Sequence, residues 1–194
     1  TCVIVDGFAG RVIVDPLPET IKAYEKRISE SRKRTRALER LRHQPATSRD
    51  GIDIQLMANV ELPMEMEMVR QSGAQGVGLL RSEFMFMNRP DLPDEDEQYE
   101  TLKTIVTAMD GRTVTIRTLD VGADKADNTG LALRNEPNPA LGLRGVRLSL
   151  SRKDLLHTQL RAIVRASGYG PVRVLVPMIS GAEEMFAVRD MLRV

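Results

Sequence analysis

The chain predicts an α/β fold built on a parallel sheet, and three observations carry that prediction. From about residue 51 onward, short β-rich runs alternate with helical patterns, the order that produces parallel strands joined by right-handed crossovers. Two of these runs, 76–82 and 113–119, close abruptly on Arg81 and Arg117, each followed by acidic residues. The stretch before residue 51 reads differently, with two β-branched runs and one long polar helix.

In order, Val3-Ile4-Val5 and Val12-Ile13-Val14 read as two short strands around a turn begun by Asp6-Gly7. A lone hairpin is marginal in water, so these strands are expected to end a sheet that begins upstream. Pro16 and Pro18 interrupt the run, and 19–42 then reads as a helix with Ile21, Tyr24, Ile28, Leu38 and Leu41 near helical spacing. Its basic residues outnumber its acidic ones, but a single aromatic residue, Tyr24, lies among them. A solvated linker helix explains that pattern better than a nucleic-acid face. Pro45, Ser48, Asp50 and Gly51 mark a boundary.

Beyond it, 54–60 is a strand candidate, followed by a helix opened by Pro63 and running to about Gln71. The strand at 76–82 precedes a helix at 94–109, whose first turn holds Asp94, Glu95, Asp96 and Glu97. Acidic residues there oppose the positive end of the helix dipole, a simpler reading than a metal site. Asp110-Gly111 leads into the strand at 113–119, and 121–139 is a long loop rich in Gly, Asp, Asn and Pro. A short helix near 141–148, a longer one at 152–166, a strand at 172–177 and a helix at 182–192 complete the chain. The four β/α units amount to about half of a (β/α)8 barrel, and a doubly wound sheet would give the same alternation.

Composition narrows the function classes. The 194 residues are 42% apolar and 28% charged, as in ordinary soluble globular proteins. A net charge of +1 argues against a general polyanion binder. No run approaches the ~18 apolar residues of a membrane span, and no signal-peptide order opens the chain. Cys2 is the only cysteine, which rules out an internal disulfide, and it reads as a small buried residue. Zinc-type Cys/His spacing is missing too. These features describe a soluble, cytoplasmic protein, and the missing initiator methionine favours a piece of one. His43 and His157 read as surface residues, and Met64, Met66, Met68, Met85 and Met87 as adaptable core filler.

The residues that point to chemistry are Arg81 and Arg117. In either architecture ligands sit at the carboxyl ends of the strands, where both arginines stand. A guanidinium is a planar fork suited to phosphate or carboxylate and is always charged, so the pair is expected to face one anion. The competing reading is structural ion pairing, Arg81 with Glu83 and Arg117 with Asp120. Lys125 alone reads as a surface lysine, and Arg144 either as a helix-surface residue or as one reaching back over the same pocket.

The runs G-V-G-L-L-R-S-E-F-M-F-M (76–87), T-I-R-T-L-D-V-G-A-D-K (115–125), N-P-A-L-G-L-R-G-V-R (138–147) and Q-L-R-A-I-V-R-A-S (159–167) resemble the phosphoenolpyruvate-protein phosphotransferase family, Enzyme I of the bacterial phosphotransferase system. The likeness extends from V-I-V-D-G near the N-terminus to V-P-M-I-S at 176–180. It implies the first half of a phosphoenolpyruvate-binding (β/α)8 TIM barrel at 51–194. A helical linker at 16–50 and the last strands of a phosphohistidine domain at 1–15 would precede it. It further implies Mg2+ as cofactor, a small histidine-phosphorylatable carrier protein as partner and a homodimeric parent. Arg81 and Arg117 would grip the phosphoryl group, with Lys125, Arg144 and Asn59 lining the same pocket. The phosphorylated histidine would lie upstream. The metal carboxylates and the proton-donor cysteine would lie downstream, so no metal ligand or catalytic residue is expected here and the fragment alone is expected to be inactive. Pro137 departs from the family's acidic E-E-N-P approach, which bears on the placement of Arg144. Pyruvate phosphate dikinases and phosphoenolpyruvate synthases are the enzyme alternative. The alternative of another class is an interaction module whose arginines only form ion pairs.

Overall fold

The computed structural model describes residues 1–122, 131 and 137–193. They divide into two compact units, Thr1–Pro45 and Ala46–Val194.

In the first unit, β1 (Val3–Asp6) and β2 (Arg11–Val14) pair antiparallel in the register Val3–Val14 to Asp6–Arg11. Helix α1 (Pro18–Glu39) starts with proline in its first turn, where a missing N–H costs nothing. It continues as a 3-10 turn, Arg40–His43. Asp6 organises this unit. Its carboxylate accepts from the backbone N–H groups of Phe8 and Ala9, from the Tyr24 hydroxyl at 3.0 Å and from Arg27 at 2.9 Å. One buried carboxylate thus closes the turn and ties the hairpin to α1. The helix buries none of its own residues, as its thin apolar stripe predicts. Cys2, expected to be buried in a strand, is exposed: it precedes β1, a strand with only one neighbour in this unit.

The second unit is mixed α/β, with four parallel strands in sequential order among the described residues: β3 (Ala58–Val60), β4 (Val77–Arg81), β5 (Val114–Arg117) and β6 (Val172–Leu175). Between them lie α2 (Met66–Ser72), α3 (Glu95–Ala108), α4 (Val146–Ser151) and α5 (Lys153–Ala166), and α6 (Ala182–Met191) follows β6. The alternation in the sequence therefore translates directly into topology. The first strand is shorter than expected. Residues 46–54 fold back on themselves through a Thr47–Asp53 bridge and the Ile54 N–H to Ala46 carbonyl bond, leaving Ile54 and Leu56 exposed.

Helices cover one face of the sheet. Val60, Val77, Leu80, Val114 and Ile116 pack with Met66 and Val69 of α2, Leu102, Ile105 and Val106 of α3, and Ala162, Ile163 and Ala166 of α5. The strand residues that alternate with these, Asn59, Leu79, Arg81, Thr115, Arg117, Arg173 and Leu175, are exposed or half-buried. The strands thus read as one-sided, although a parallel sheet ordinarily has both faces covered. A smaller cluster, Phe86, Leu119, Val121, Leu131, Leu148 and Leu155, lies beyond the strand ends. Another joins α4, α5 and α6 through Val146, Leu156, Leu160 and Val188. Of the methionines expected in the core, Met66 is buried but Met64 and Met68 are exposed.

The acidic start of α3 follows the capping reading. Asp94 accepts from the Glu97 N–H at 2.9 Å, and the Glu97 carboxylate accepts from the Asp94 N–H at 3.1 Å. Glu95 pairs with Arg161 and Arg165 of α5, and Asp96 with Arg165.

Candidate functional site

The sheet register sets Arg81 beside Arg117, as direct neighbours at the carboxyl ends of β4 and β5. Adjacent strands lie about 4.8 Å apart, so two guanidinium stems rise side by side on the half-open face. Like charges opposite one another destabilise a sheet unless countercharges intervene. Three carboxylates supply them.

Arg117 pairs with Glu83 and, through Nη1, with Asp120 at 3.4 Å. Arg144 donates from Nε to the other Asp120 oxygen at 2.9 Å. Arg81 donates from Nη1 to Glu61 at 2.6 Å. The expected Arg117–Asp120 pair is present, but Glu83 turns to Arg117 rather than to Arg81. After Arg81 the chain enters a 3-10 turn, Ser82–Phe86, which carries the Glu83 side chain away from its near neighbour and under the next strand. Glu83 is 2% exposed. Its Oε2, Arg117 Nε and the Thr118 hydroxyl are buried without hydrogen-bond partners among the described residues.

A buried glutamine braces this end of the sheet. Gln159 of α5 accepts from the Leu119 N–H at 2.9 Å and donates to Ser82 Oγ at 3.1 Å. It thereby ties together the segments that follow β4 and β5. Sequence reasoning passed over Gln159, yet a signal existed: a polar residue within the otherwise apolar stripe Leu155, Leu156, Leu160, Ile163 of α5. Glu61 was missed as well, and its only sequence signal is its place just past the first strand. It is held there firmly, because the Glu65 carboxylate accepts from the backbone N–H groups of Glu61 at 2.7 Å and Leu62 at 2.8 Å. Those bonds, the Leu62 one foremost, hold the Glu65 pKa below the usual carboxylate value.

Arg144 owes its position to Gly145, whose backbone lies at φ +55°, ψ −127°. A Cβ there would stand 2.9 Å from Met178 Cγ and 3.0 Å from the Pro177 carbonyl oxygen. The turn that points the chain into α4 therefore requires glycine. The expected helix at 141–148 begins only after this turn. Asn59 lies on the half-open face in the middle of β3 and is exposed. The predicted role of Lys125 falls on a residue outside the described ones.

The site thus gathers Arg81, Arg117 and Arg144 against Glu61, Glu83 and Asp120, a balanced set of charges at the strand ends. Among the described residues no group of three or more His, Cys, Asp or Glu side chains is disposed to hold a metal ion. The acids present are each committed to an arginine. No helix among the described residues is long and apolar enough to cross a membrane.

Comparison with known proteins gives the chain's relatives. The chain is 51% identical over 185 residues to the phosphoenolpyruvate-protein phosphotransferase of Cupriavidus necator, covering 94% of this chain and 32% of that protein. It is 44% identical to the protein of the same name in Priestia megaterium, with coverage of 94% and 32%. The Bacillus subtilis protein of that name is 42% identical, again with 94% and 32% covered. The chain thus spans about a third of the length of these curated relatives. Residues 35–194 match the family described as PEP-utilising enzyme, PEP-binding domain, and with most of its length inside that match the chain belongs to this family.

Proposed function

We propose that the chain forms the phosphoryl-gripping half of the active site of a cytoplasmic phosphoenolpyruvate-protein phosphotransferase. The enzyme would move the phosphoryl group of phosphoenolpyruvate to a histidine of its own, and from there to a small carrier protein of a phosphotransferase system, in its sugar or its nitrogen-regulatory branch. In this reading residues 51–194 are the first half of a (β/α)8 barrel, 16–50 the helical linker and 1–15 the closing strands of the phosphohistidine domain. The half-open sheet face supports the barrel reading, since the missing strands would supply the cover that the described residues lack. A homodimeric enzyme fits the same reading.

The single observation that carries the function is the adjacency of Arg81 and Arg117 at the strand ends. Two guanidinium forks on neighbouring strands can take different oxygens of one phosphoryl group and stabilise the charge that spreads over them during transfer. Arg144, joined to Arg117 through Asp120, holds the flank. Asn59 is assigned to the rim, and Lys125, which lies outside the described residues, is assigned a supporting role toward the same anion. Mg2+, when bound, would neutralise phosphate charge. The site's described acids, Glu61, Glu83 and Asp120, do not suit it, because each is paired to an arginine, so its ligands are assigned to the remainder of the enzyme.

The test is Arg117→Ala in the full-length enzyme, with radiolabelled phosphoenolpyruvate and Mg2+. Removing one preorganised donor to a developing charge typically costs about 10²–10³ in rate. Loss of autophosphorylation on that scale is the expected result, with the far-UV circular dichroism preserved, or preserved once Glu83→Gln is added to relieve the stranded carboxylate. Near-normal labelling would overturn the assignment.

A further inference from the structure

The four anion-site pairings are not equivalent. Glu83 and Asp120 are buried, and their salt bridges join side chains no more than 20% exposed. The Arg81–Glu61 pair is open, with side chains 41% and 37% exposed. Glu61 is not part of the strand carrying Arg81. It reaches over from the loop after β3, a loop pinned by Glu65. An incoming phosphoryl group that needs the Arg81 fork therefore meets a carboxylate already on it, and this is the pair that yields most easily.

A place for the displaced carboxylate also exists. Glu61 lines a cavity of about 430 Å³ together with Leu62, Pro63, Phe84, Arg89 and Gln98. Arg89 gives one terminal nitrogen to Glu97 at 2.9 Å, but its Nε is buried with no hydrogen-bond partner among the described residues. A buried donor left unmade is costly. A carboxylate turning from Arg81 toward Arg89 would remove that cost while vacating the phosphoryl position.

Resting on the phosphoryl-binding reading above, we propose that Glu61 is a resident counter-ion of Arg81, an internal competitor that substrate must displace toward Arg89. While the site is empty, Glu61 holds the fork in place and offsets its repulsion with Arg117. When an anion binds, the carboxylate changes partners. When the phosphoryl group has left, the Arg81–Glu61 pair re-forms and the remaining product loses its hold. The same competition applies to every anion at Arg81, so Glu61 sets how tightly the site binds rather than which anion it prefers.

Calorimetric titration of phosphoenolpyruvate with Mg2+ into the full-length protein tests this. Half-exposed ion pairs contribute little, so Glu61→Gln is expected to tighten binding about two- to fivefold. That gain should vanish in the Arg81→Ala background. Arg89→Gln should weaken binding to the wild type yet leave Glu61→Gln unchanged. If Arg81→Ala weakens binding while Glu61→Gln leaves it equal or weaker, the competitor role is wrong and the phosphoryl site stands. A Glu61→Gln gain that persists without Arg81 reflects general repulsion and also overturns the proposal. If Arg81→Ala itself binds normally, the failure lies with the phosphoryl-site reading.

Discussion

Arg117 is a structural cation paired with Glu83 and Asp120, and that role can be separated from the anion-binding role proposed above by its effect on stability. In Arg117→Met the aliphatic part of the side chain is replaced, but the Glu83 carboxylate, 2% exposed, loses the partner of its Oε1. Its Oε2 already has none among the described residues. Breaking a buried pair by removing one member costs about 3–5 kcal/mol, because an uncompensated charge stays behind. With a urea m-value of about 2 kcal/mol/M, the unfolding midpoint of the sheet-bearing unit should fall by roughly 2 M. Adding Glu83→Gln removes the stranded charge at constant volume and should restore part of the loss, giving a coupling energy of up to about 3 kcal/mol. Glu83→Gln alone should cost less than Arg117→Met, since Arg117 keeps Asp120 and is 19% exposed at its side chain. Urea unfolding followed by circular dichroism measures all three variants. If Arg117→Met alone does not fold, the double variant still should. Equal stability for the single and double variants would refute the argument, since it would mean that Glu83 does not depend on Arg117 for its charge.

Two further outcomes test the supports of the site. Gly145→Ala combines a backbone at φ +55°, ψ −127° with a methyl group 2.9 Å from Met178 Cγ. Strain of this kind costs about 1–3 kcal/mol, so thermal unfolding should move down by several degrees and anion binding should weaken as Arg144 shifts. Glu65 has a lowered folded pKa, from the Leu62 and then the Glu61 backbone N–H bonds. Its stabilising contribution is therefore fully present above the unfolded carboxylate value, about 4.3, and is lost as pH falls through the lower folded value. The melting-temperature gap between wild type and Glu65→Gln should be open at pH 6–7 and close progressively below about pH 4; a gap independent of pH would contradict it.

Much of the second unit was legible in the sequence because its elements obey local rules. Runs such as Val77–Arg81 and Val114–Arg117 are short and β-rich, the helices between them carry apolar stripes, and Asp94 with Glu97 forms a cap within four residues of chain. The placement of Arg81 and Arg117 followed from the same rules, since residues that end parallel strands must stand together at one edge of the sheet. What the sequence did not disclose depends on contacts made at a distance. The first strand was overestimated because Ile54 and Leu56 look apolar, but the Thr47–Asp53 bridge turns that segment away. Cys2, Met64 and Met68 were assigned to a core that does not reach them.

The partner of each arginine was the most informative miss. Sequence proximity pairs Arg81 with Glu83, two residues on, but side chains two apart after a strand end are turned in different directions by the 3-10 turn at Ser82–Phe86. The register then decides the outcome. It puts Arg117 over Glu83 and leaves Arg81 to Glu61, twenty residues earlier in the chain. That exchange matters for function more than for fold. Had Arg81 been locked to a buried Glu83, both arginines would have been fixed in buried pairs, and an anion would have had to break one of them at a cost of several kcal/mol. The observed pairing instead concentrates the buried charge on Arg117 and leaves Arg81 with an exposed, weakly held partner. One arginine is thereby anchored and its neighbour is held weakly, a division of labour that would let an anion enter a charge-balanced site, as proposed above, without dismantling the sheet end that presents it.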